Sequence, residues 1–111
     1  SAGYACGAAI TYMLGGNFNQ IANTIINTLA NTSGIICDGA KPSCAAKISS
    51  ALDAALLAHT MSMHDDVFHA DEGIVKDDLE KTIRAVGYIG REGMKSTDIE
   101  VLNIMIDKVC P

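Results

Sequence analysis

Apolar residues recur along this chain at three- and four-residue spacings, and the strand signal is weak everywhere. Residues from about 3 to 14 predict a first helix, in which Gly3, Ala5, Gly7, Ala8 and Ala9 are small enough to let another helix approach closely. Gly15-Gly16 ends it, because glycine tolerates the left-handed conformation at a helix C-terminus. A second helix starts at Asn17, with Gln20 three positions on in a capping-box pattern, and stops near Ser33-Gly34. Phe18, Ile21, Ala22, Ile25 and Leu29 share its apolar face. Asn19, Asn23, Asn27 and Asn31 lie on another face, polar but uncharged, which is either solvated or a contact with a subunit or domain. A third helix from Pro42 to Met63 is apolar nearly all round, which predicts a buried helix central to a bundle. Pro42 suits its first position, where the missing N–H costs nothing.

His64 to Ile74 reads as a loop rich in His, Asp and Glu. A fourth helix is expected from near Asp77, with Glu80 at the reciprocal capping position and Leu79, Ile83, Val86 and Ile89 facing inward. Gly90 and Gly93 are expected to break it. A fifth then opens on the capping box Thr97-Asp98-Ile99-Glu100, with Ile99, Leu102, Met105, Ile106 and Val109 as its apolar stripe. The expected fold is therefore all-α: one domain over residues 1–111, a compact bundle of about five helices around a buried central one.

Composition narrows the function more than the fold. Hydrophobic residues make up 49% of the 111, and the mean hydropathy of +0.22 is too high for a solvated tail. Aromatics are scarce, so Ala, Ile, Leu, Val and Met must make the core, which favours close-packed helices. A net charge of −5 argues against nucleic acid and against an anionic membrane surface as partners. No run reaches the ~20 apolar residues that a membrane span needs. No basic region precedes the first apolar run, so no secretory signal is expected. The chain opens without Met inside a small-residue stretch, Ser1-Ala2-Gly3-Tyr4-Ala5, and is expected to be a piece of a longer protein.

Cysteines stand at 6, 37, 44 and 110, an even count that permits two disulfides in three pairings. A helical chain with so few cysteines reads as cytoplasmic, where thiols stay reduced and clustered ones become candidates for metal binding or catalysis. The informative segment is Ile35-Ile36-Cys37-Asp38-Gly39-Ala40-Lys41-Pro42-Ser43-Cys44. Two Cys flank a tight turn, and Cys44 falls in the first turn of the third helix, where a positive dipole end favours thiolate, the form that binds metal. Lys41 adds positive charge nearby. Two Cys seven apart fit no standard zinc pattern, so spacing alone leaves metal binding and inert buried thiols both open.

The segment Cys37-Asp38-Gly39-Ala40-Lys41-Pro42-Ser43-Cys44-Ala45-Ala46-Lys47 resembles the cysteine signature of the L-cysteine desulfidase family, within the serine dehydratase α-chain superfamily. Leu14-Gly15-Gly16-Asn17 and Gln20-Ile21-Ala22-Asn23 resemble the stretch before it. Asp71-Glu72-Gly73-Ile74-Val75, Asp77-Asp78 and Thr82-Ile83 resemble the stretch after it, and Gly90-Arg91-Glu92-Gly93-Met94 with Thr97-Asp98 the terminal part. The resemblance is collinear over essentially the whole chain. It implies an oxygen-sensitive 4Fe-4S cluster held by three Cys, with one iron open to substrate as a Lewis acid. The implied activity is elimination of water from L-serine, or of sulfide from L-cysteine, giving pyruvate and ammonia. Cys37 and Cys44 match two ligand positions. Cys6 is the only upstream Cys in the chain and the candidate third ligand, although the family position falls somewhat further upstream.

The cluster itself is expected to be absent from this piece of chain, which would hold part of an active site and be inactive alone. Its partners would be a small amino-acid substrate, the missing N-terminal part of the same protein, and in oligomers a second copy. Cys110 is expected to be a packed or frayed end residue; the sharper idea is a tail thiol that blocks the open iron. His59, His64 and His69 are spaced by five, so they would point apart as ligands, and Asp53 is expected as a buried carboxylate on the third helix. Lys41 and Lys47 are candidates for the substrate carboxylate, with Lys47 expected to reach for the surface. A zinc hydrolase lacks a convincing ligand triad, and a non-catalytic helical interaction module is the alternative reading. The catalytic base, and the choice of serine over cysteine, are not assigned.

Overall fold

Small residues decide how the helices meet. A computed structural model describes residues 2–36 and 41–106. Helices α1 (Ala2–Met13), α2 (Phe18–Thr32) and α3 (Pro42–Met63) each pack against the other two and together form one layer of the fold. A Cβ placed on Gly3 would sit 3.1 Å from Ala51 Cβ, and one on Gly7 would sit 3.2 Å from Ala55 Cβ and 3.0 Å from Thr24 Cγ2. Gly3 pairs with Ala51 and Gly7 with Ala55, so α1 and α3 run in the same direction in a fixed register. α2 runs against both. Gly15, at φ +86°, makes the turn out of α1, and the Asn17/Gln20 capping box that starts α2 forms both of its reciprocal bonds.

The core of this layer is as polar as it is apolar. Ile26, Leu29, Ala54, Ala55, Ala58 and Val75 are buried, but so are Thr11, Thr24, Asn27, Thr28, Ser62 and Thr82. Such a core holds only if every polar atom is bonded, and among the described residues no buried side-chain N or O lacks a partner. Thr24, Thr28 and Thr32 each donate to the carbonyl four residues back, at 2.9, 2.7 and 2.9 Å. That bond satisfies the hydroxyl inside its own helix and frees the methyl to pack.

This preference rotates α2 away from its expected face. Thr24, Ile26, Asn27, Thr28 and Leu29 are buried, while Phe18 is 79% exposed. Asn27 is not solvated. Its Nδ2 donates to the Asp66 carbonyl at 3.1 Å and its Oδ1 accepts from the Phe68 N–H at 3.0 Å, which ties the loop after α3 to α2.

α3 is the helix on which α1 and α2 pack, through the stripe Ala54, Ala55, Ala58 and Ser62. Its apolar circumference is covered on that side only. Ile48, Leu52, Leu56 and Leu57 face outward and are exposed, and so is Asp53, which corrects the expectation of a buried carboxylate there.

α4 (Leu79–Tyr88) starts one residue later than expected: Asp78 is the cap and accepts from Lys81 N–H at 2.7 Å. Gly90 and Gly93 do not break the chain. A π-helical turn, Ile89–Gly93, carries α4 directly into α5 (Met94–Met105). A glycine without positive φ weakens a helix by ~1 kcal/mol but does not terminate it, and Gly93 keeps helical angles, φ −72° and ψ −27°. The helix already runs when it reaches Thr97, so the capping box expected there does not form. The fold is all-α among the described residues, with the fourth and fifth expected helices joined into one rod.

Candidate functional site

Cys44 lies in the first turn of α3, after Pro42 in the first turn and with no acidic residue beside it. Its N–H donates to the Lys41 carbonyl at 2.8 Å, closing a tight first turn. The thiol is free and half-buried. Cys44, Lys47 and Ala51 fall at i, i+3 and i+7, which places them on one face of the helix.

That face borders a cavity of about 300 Å³ between the three helices. Tyr4 of α1, Thr32 and Ser33 at the end of α2, and Lys47 of α3 line it above a floor that includes Leu29 and Val86. Lys47 is half-buried here, not extended into solvent as expected. A second lobe of about 260 Å³ shares Ser33, Ile35 and Val86 and adds Gly90, Met94 and Asp98. The π-helical turn forms part of this wall, and π-turns in helices frequently mark functional sites. Ile35 stands two residues before Cys37, and two residues of chain reach at most ~7 Å. Both lobes therefore adjoin the segment that carries the cysteine signature.

Cys37, Asp38, Gly39 and Ala40 lie outside the described residues, as does Cys110. Cys6 is described and stands apart from Cys44. It borders a separate apolar pocket of about 60 Å³ with Gly3, Ile48 and Leu52. The pairing of Gly3 with Ala51 and Gly7 with Ala55 sets Cys6 level with Ala54, ten residues beyond Cys44. At 1.5 Å per residue that is ~15 Å along the helix, far more than two thiolates on one cluster can span. Among the described residues no group of three His, Cys, Asp or Glu is placed to hold a metal ion. The described residues bring no second thiol to Cys44.

The histidines do not converge either. His59 Nδ1 meets Thr11 Oγ1 at 2.8 Å inside the helix layer. His64 Nδ1 bonds the Thr60 carbonyl at 3.1 Å on the surface. The His69 N–H caps onto Glu72. Sequence reasoning missed Tyr4 and Asp98 as cavity-lining residues, because their partners on the wall come from other helices and share no spacing with them. It also missed the Thr11 hydroxyl that meets His59, and the Thr24 hydroxyl that meets Thr11; for Thr24 the three threonines of α2 spaced by four were the available signal.

A larger concavity of about 760 Å³ lies on the opposite face of α4, where Lys76, Lys81, Arg84 and Arg91 gather around Tyr88. It is an open groove of exposed side chains, and three of its four cations already pair with nearby carboxylates. The smaller lobes, which adjoin Cys44, are the better candidate for chemistry.

Comparison with known proteins takes in nearly the whole chain. The serine dehydratase alpha chain family matches residues 1–103. A UPF0597 protein of Treponema denticola is 56% identical over 106 residues, which cover 96% of this chain and 25% of the relative. UPF0597 proteins of Finegoldia magna and Lachnoclostridium phytofermentans are 53% and 54% identical, over 97% and 96% of this chain and 26% of each relative. The chain thus spans about a quarter of the length of these relatives. No solved structure matches. With nearly its whole length matched, including Cys44, Lys47 and both lobes beside them, the chain belongs to the serine dehydratase alpha chain family.

Proposed function

We propose that this chain carries the cluster-binding portion of an iron–sulfur lyase that eliminates water from L-serine, or sulfide from L-cysteine, to give pyruvate and ammonia. The observation that carries the reading is the family match across residues 1–103, which takes in the Cys37-to-Cys44 segment, together with a half-buried Cys44 on the same helix face as a cavity-lining lysine. Cys37 and Cys44 would supply two thiolates to a 4Fe-4S cluster. Cys6 lies in a separate pocket with Gly3, Ile48 and Leu52, and in this reading the remaining ligand would come from the part of the protein that this chain does not span. When bound, the cluster would supply a Lewis-acidic iron to the β-substituent that leaves.

The chain's own contribution is a walled cavity next to that position. Tyr4, Thr32 and Lys47 are partly buried in its lining, beside the buried Leu29. The exposed face of α3, with Ile48, Leu52, Leu56 and Leu57, would be covered by the rest of the same protein, because domains bury such faces under a second layer. Among the described residues no helix is long and apolar enough to cross a membrane.

Anaerobic reconstitution of the full-length protein with iron and sulfide tests this reading. The expected result is a cluster absorbance, with pyruvate formed from serine or cysteine. Cys44→Ser and Cys37→Ser should each lose the absorbance, and Cys6→Ser should keep it. A reduced, folded protein that takes up no iron would overturn the proposal.

A further inference from the structure

Two helices of the layer carry more apolar surface than the layer covers. α1 has no charged residue in its 12 positions, and a helix without a charged face ordinarily lies inside a protein. Yet Ala5, Cys6 and Ala9 are exposed, and Met13 is 79% exposed. On α3, Ile48, Leu52 and Leu56 recur every four residues, which puts them on one face, and all three are exposed. The two surfaces adjoin. The pairing of Gly3 with Ala51 and of Gly7 with Ala55 lays α1 along α3. On their seam Gly3, Cys6, Ile48 and Leu52 bound an apolar hole of about 60 Å³. Three of these four residues are exposed, so the hole opens on the outside of the layer. A continuous apolar surface of this kind marks a contact.

We propose that the α1–α3 seam receives a helix from the part of the protein that this chain does not span, with one aliphatic side chain of that helix seated in the hole. Length argues for this occupant. The chain covers 25% or 26% of each of three relatives, so they carry about three times this length again. A segment of the same chain meets the seam at an effective concentration of up to ~mM, an advantage that a separate partner lacks. Chemistry argues for it too. From Ile48 to Leu57 the one charged residue is Asp53, and a surface so poor in charge resembles a core cut in half, not a transient contact. The relief suits a helix: small residues make α1 low and Ile48, Leu52 and Leu56 make α3 high, a groove beside a ridge. The inference gives the cover of α3 a place and adds α1 to it. It rests on the length of the relatives, not on the lyase chemistry.

Cys6 is the reporter, since its thiol is exposed on the layer itself and slow reaction there requires a cover. The experiment is alkylation of the full-length protein with N-ethylmaleimide, with the extent at Cys6 read by peptide mass spectrometry against the same protein in denaturant. The folded protein should react at Cys6 about a hundredfold or more slowly, because the thiol is reached only through local opening. That protection should be the same at every protein concentration and after a chelator has removed iron. Leu52→Asp places a charge beside the hole and should return Cys6 toward the denatured rate. Leu52→Ala, the milder change, should speed the reaction by a smaller factor with native circular dichroism. Reaction at the denatured rate in the folded wild type would overturn the proposal, as would full protection in both Leu52 variants. Protection lost on dilution, as a dimer dissociates, would make a second copy the cover. Protection lost with iron, at native circular dichroism, would make Cys6 a cluster ligand; either result overturns the proposal. Because the readout needs no cluster, a protected Cys6 in a protein that takes up no iron would sink the lyase reading while upholding the seam.

Discussion

The two ends of the three-helix layer are built from the same elements and do opposite things. At one end Thr11, Thr24 and Ser62 are fully buried and bonded to one another across α1, α2 and α3, at 2.9 and 2.6 Å, with His59 joined to Thr11 at 2.8 Å. At the other end the helices part around Tyr4, Thr32 and Lys47 and leave about 300 Å³ open. The closed end spends its polar groups on each other. At the open end Thr32 bonds back into its own helix at 2.9 Å instead, and among the described residues no hydroxyl seam joins the helices there. The two belong together, since a cavity holds its shape only if the helices that wall it are fixed elsewhere.

If that division holds, the largest effect of mutation on stability belongs to the closed end's packing. Gly7 is where α1 comes closest to both neighbours. Gly7→Leu would drive a side chain into Thr24 and Ala55 and should cost about 3 kcal/mol, at the upper end of overpacking. Chemical denaturation reads this directly. A loss below about 1 kcal/mol would mean that the helices part easily there, and the comparison would fail.

Next in size is the hydroxyl seam. Thr24→Val keeps the shape and removes the centre of the chain. Thr11 still has Gly7 O and Ser62 still has His59 O as acceptors, at 3.0 and 2.8 Å, so the cost should be moderate, about 1–2 kcal/mol. At the open end Lys47→Gln should move stability by no more than about 0.5 kcal/mol. Reversed sizes would place the anchor at the cavity end.

Much of this was legible in the sequence. The Asn17/Gln20 capping box, the small-residue face of α1 and the helical content follow from local patterns that tertiary packing did not override. Which face of α2 turned inward was not legible. Hydropathy ranks Phe18 and Ile21 above Thr24 and Asn27, but it cannot register that a threonine can place its proton on its own helix and still accept from a neighbouring one, as Thr24 does. The continuity of α4 into α5 was hidden for a related reason: Gly90 and Gly93 signal a break, and a π-turn absorbs both without positive φ. At the site, the signature segment gave Cys44 and named Lys47 as a candidate. Tyr4 and Thr32 could emerge only once the register of α1, α2 and α3 was known.

The smallest expected effect lies on neither end, and so it calibrates the others. Lys81 Nζ sits 3.0 Å from Asp77 Oδ1, four residues apart and with the acid nearer the helix N-terminus, the favourable order. The hydrogen bond from Lys81, with its charge, holds the Asp77 carboxyl below the ordinary 3.8, and the same bond raises Lys81 above 10.5. For Asp77 the folded value is the lower one. Its contribution to stability is therefore complete above the unfolded value and is lost as pH falls through the folded one; for Lys81 it is complete below 10.5 and is lost as pH rises past the folded value. An NMR titration should find the Asp77 midpoint below 3.8 in the native protein, and near 3.8 in Lys81→Ala or at high salt, because both side chains are exposed and screened. A midpoint that Lys81→Ala leaves unmoved would assign the shift to the helix N-terminus. Either way, denaturation near pH 7 should barely register Lys81→Ala, whereas Thr24→Val should register at any pH, because the proton of a threonine hydroxyl does not titrate.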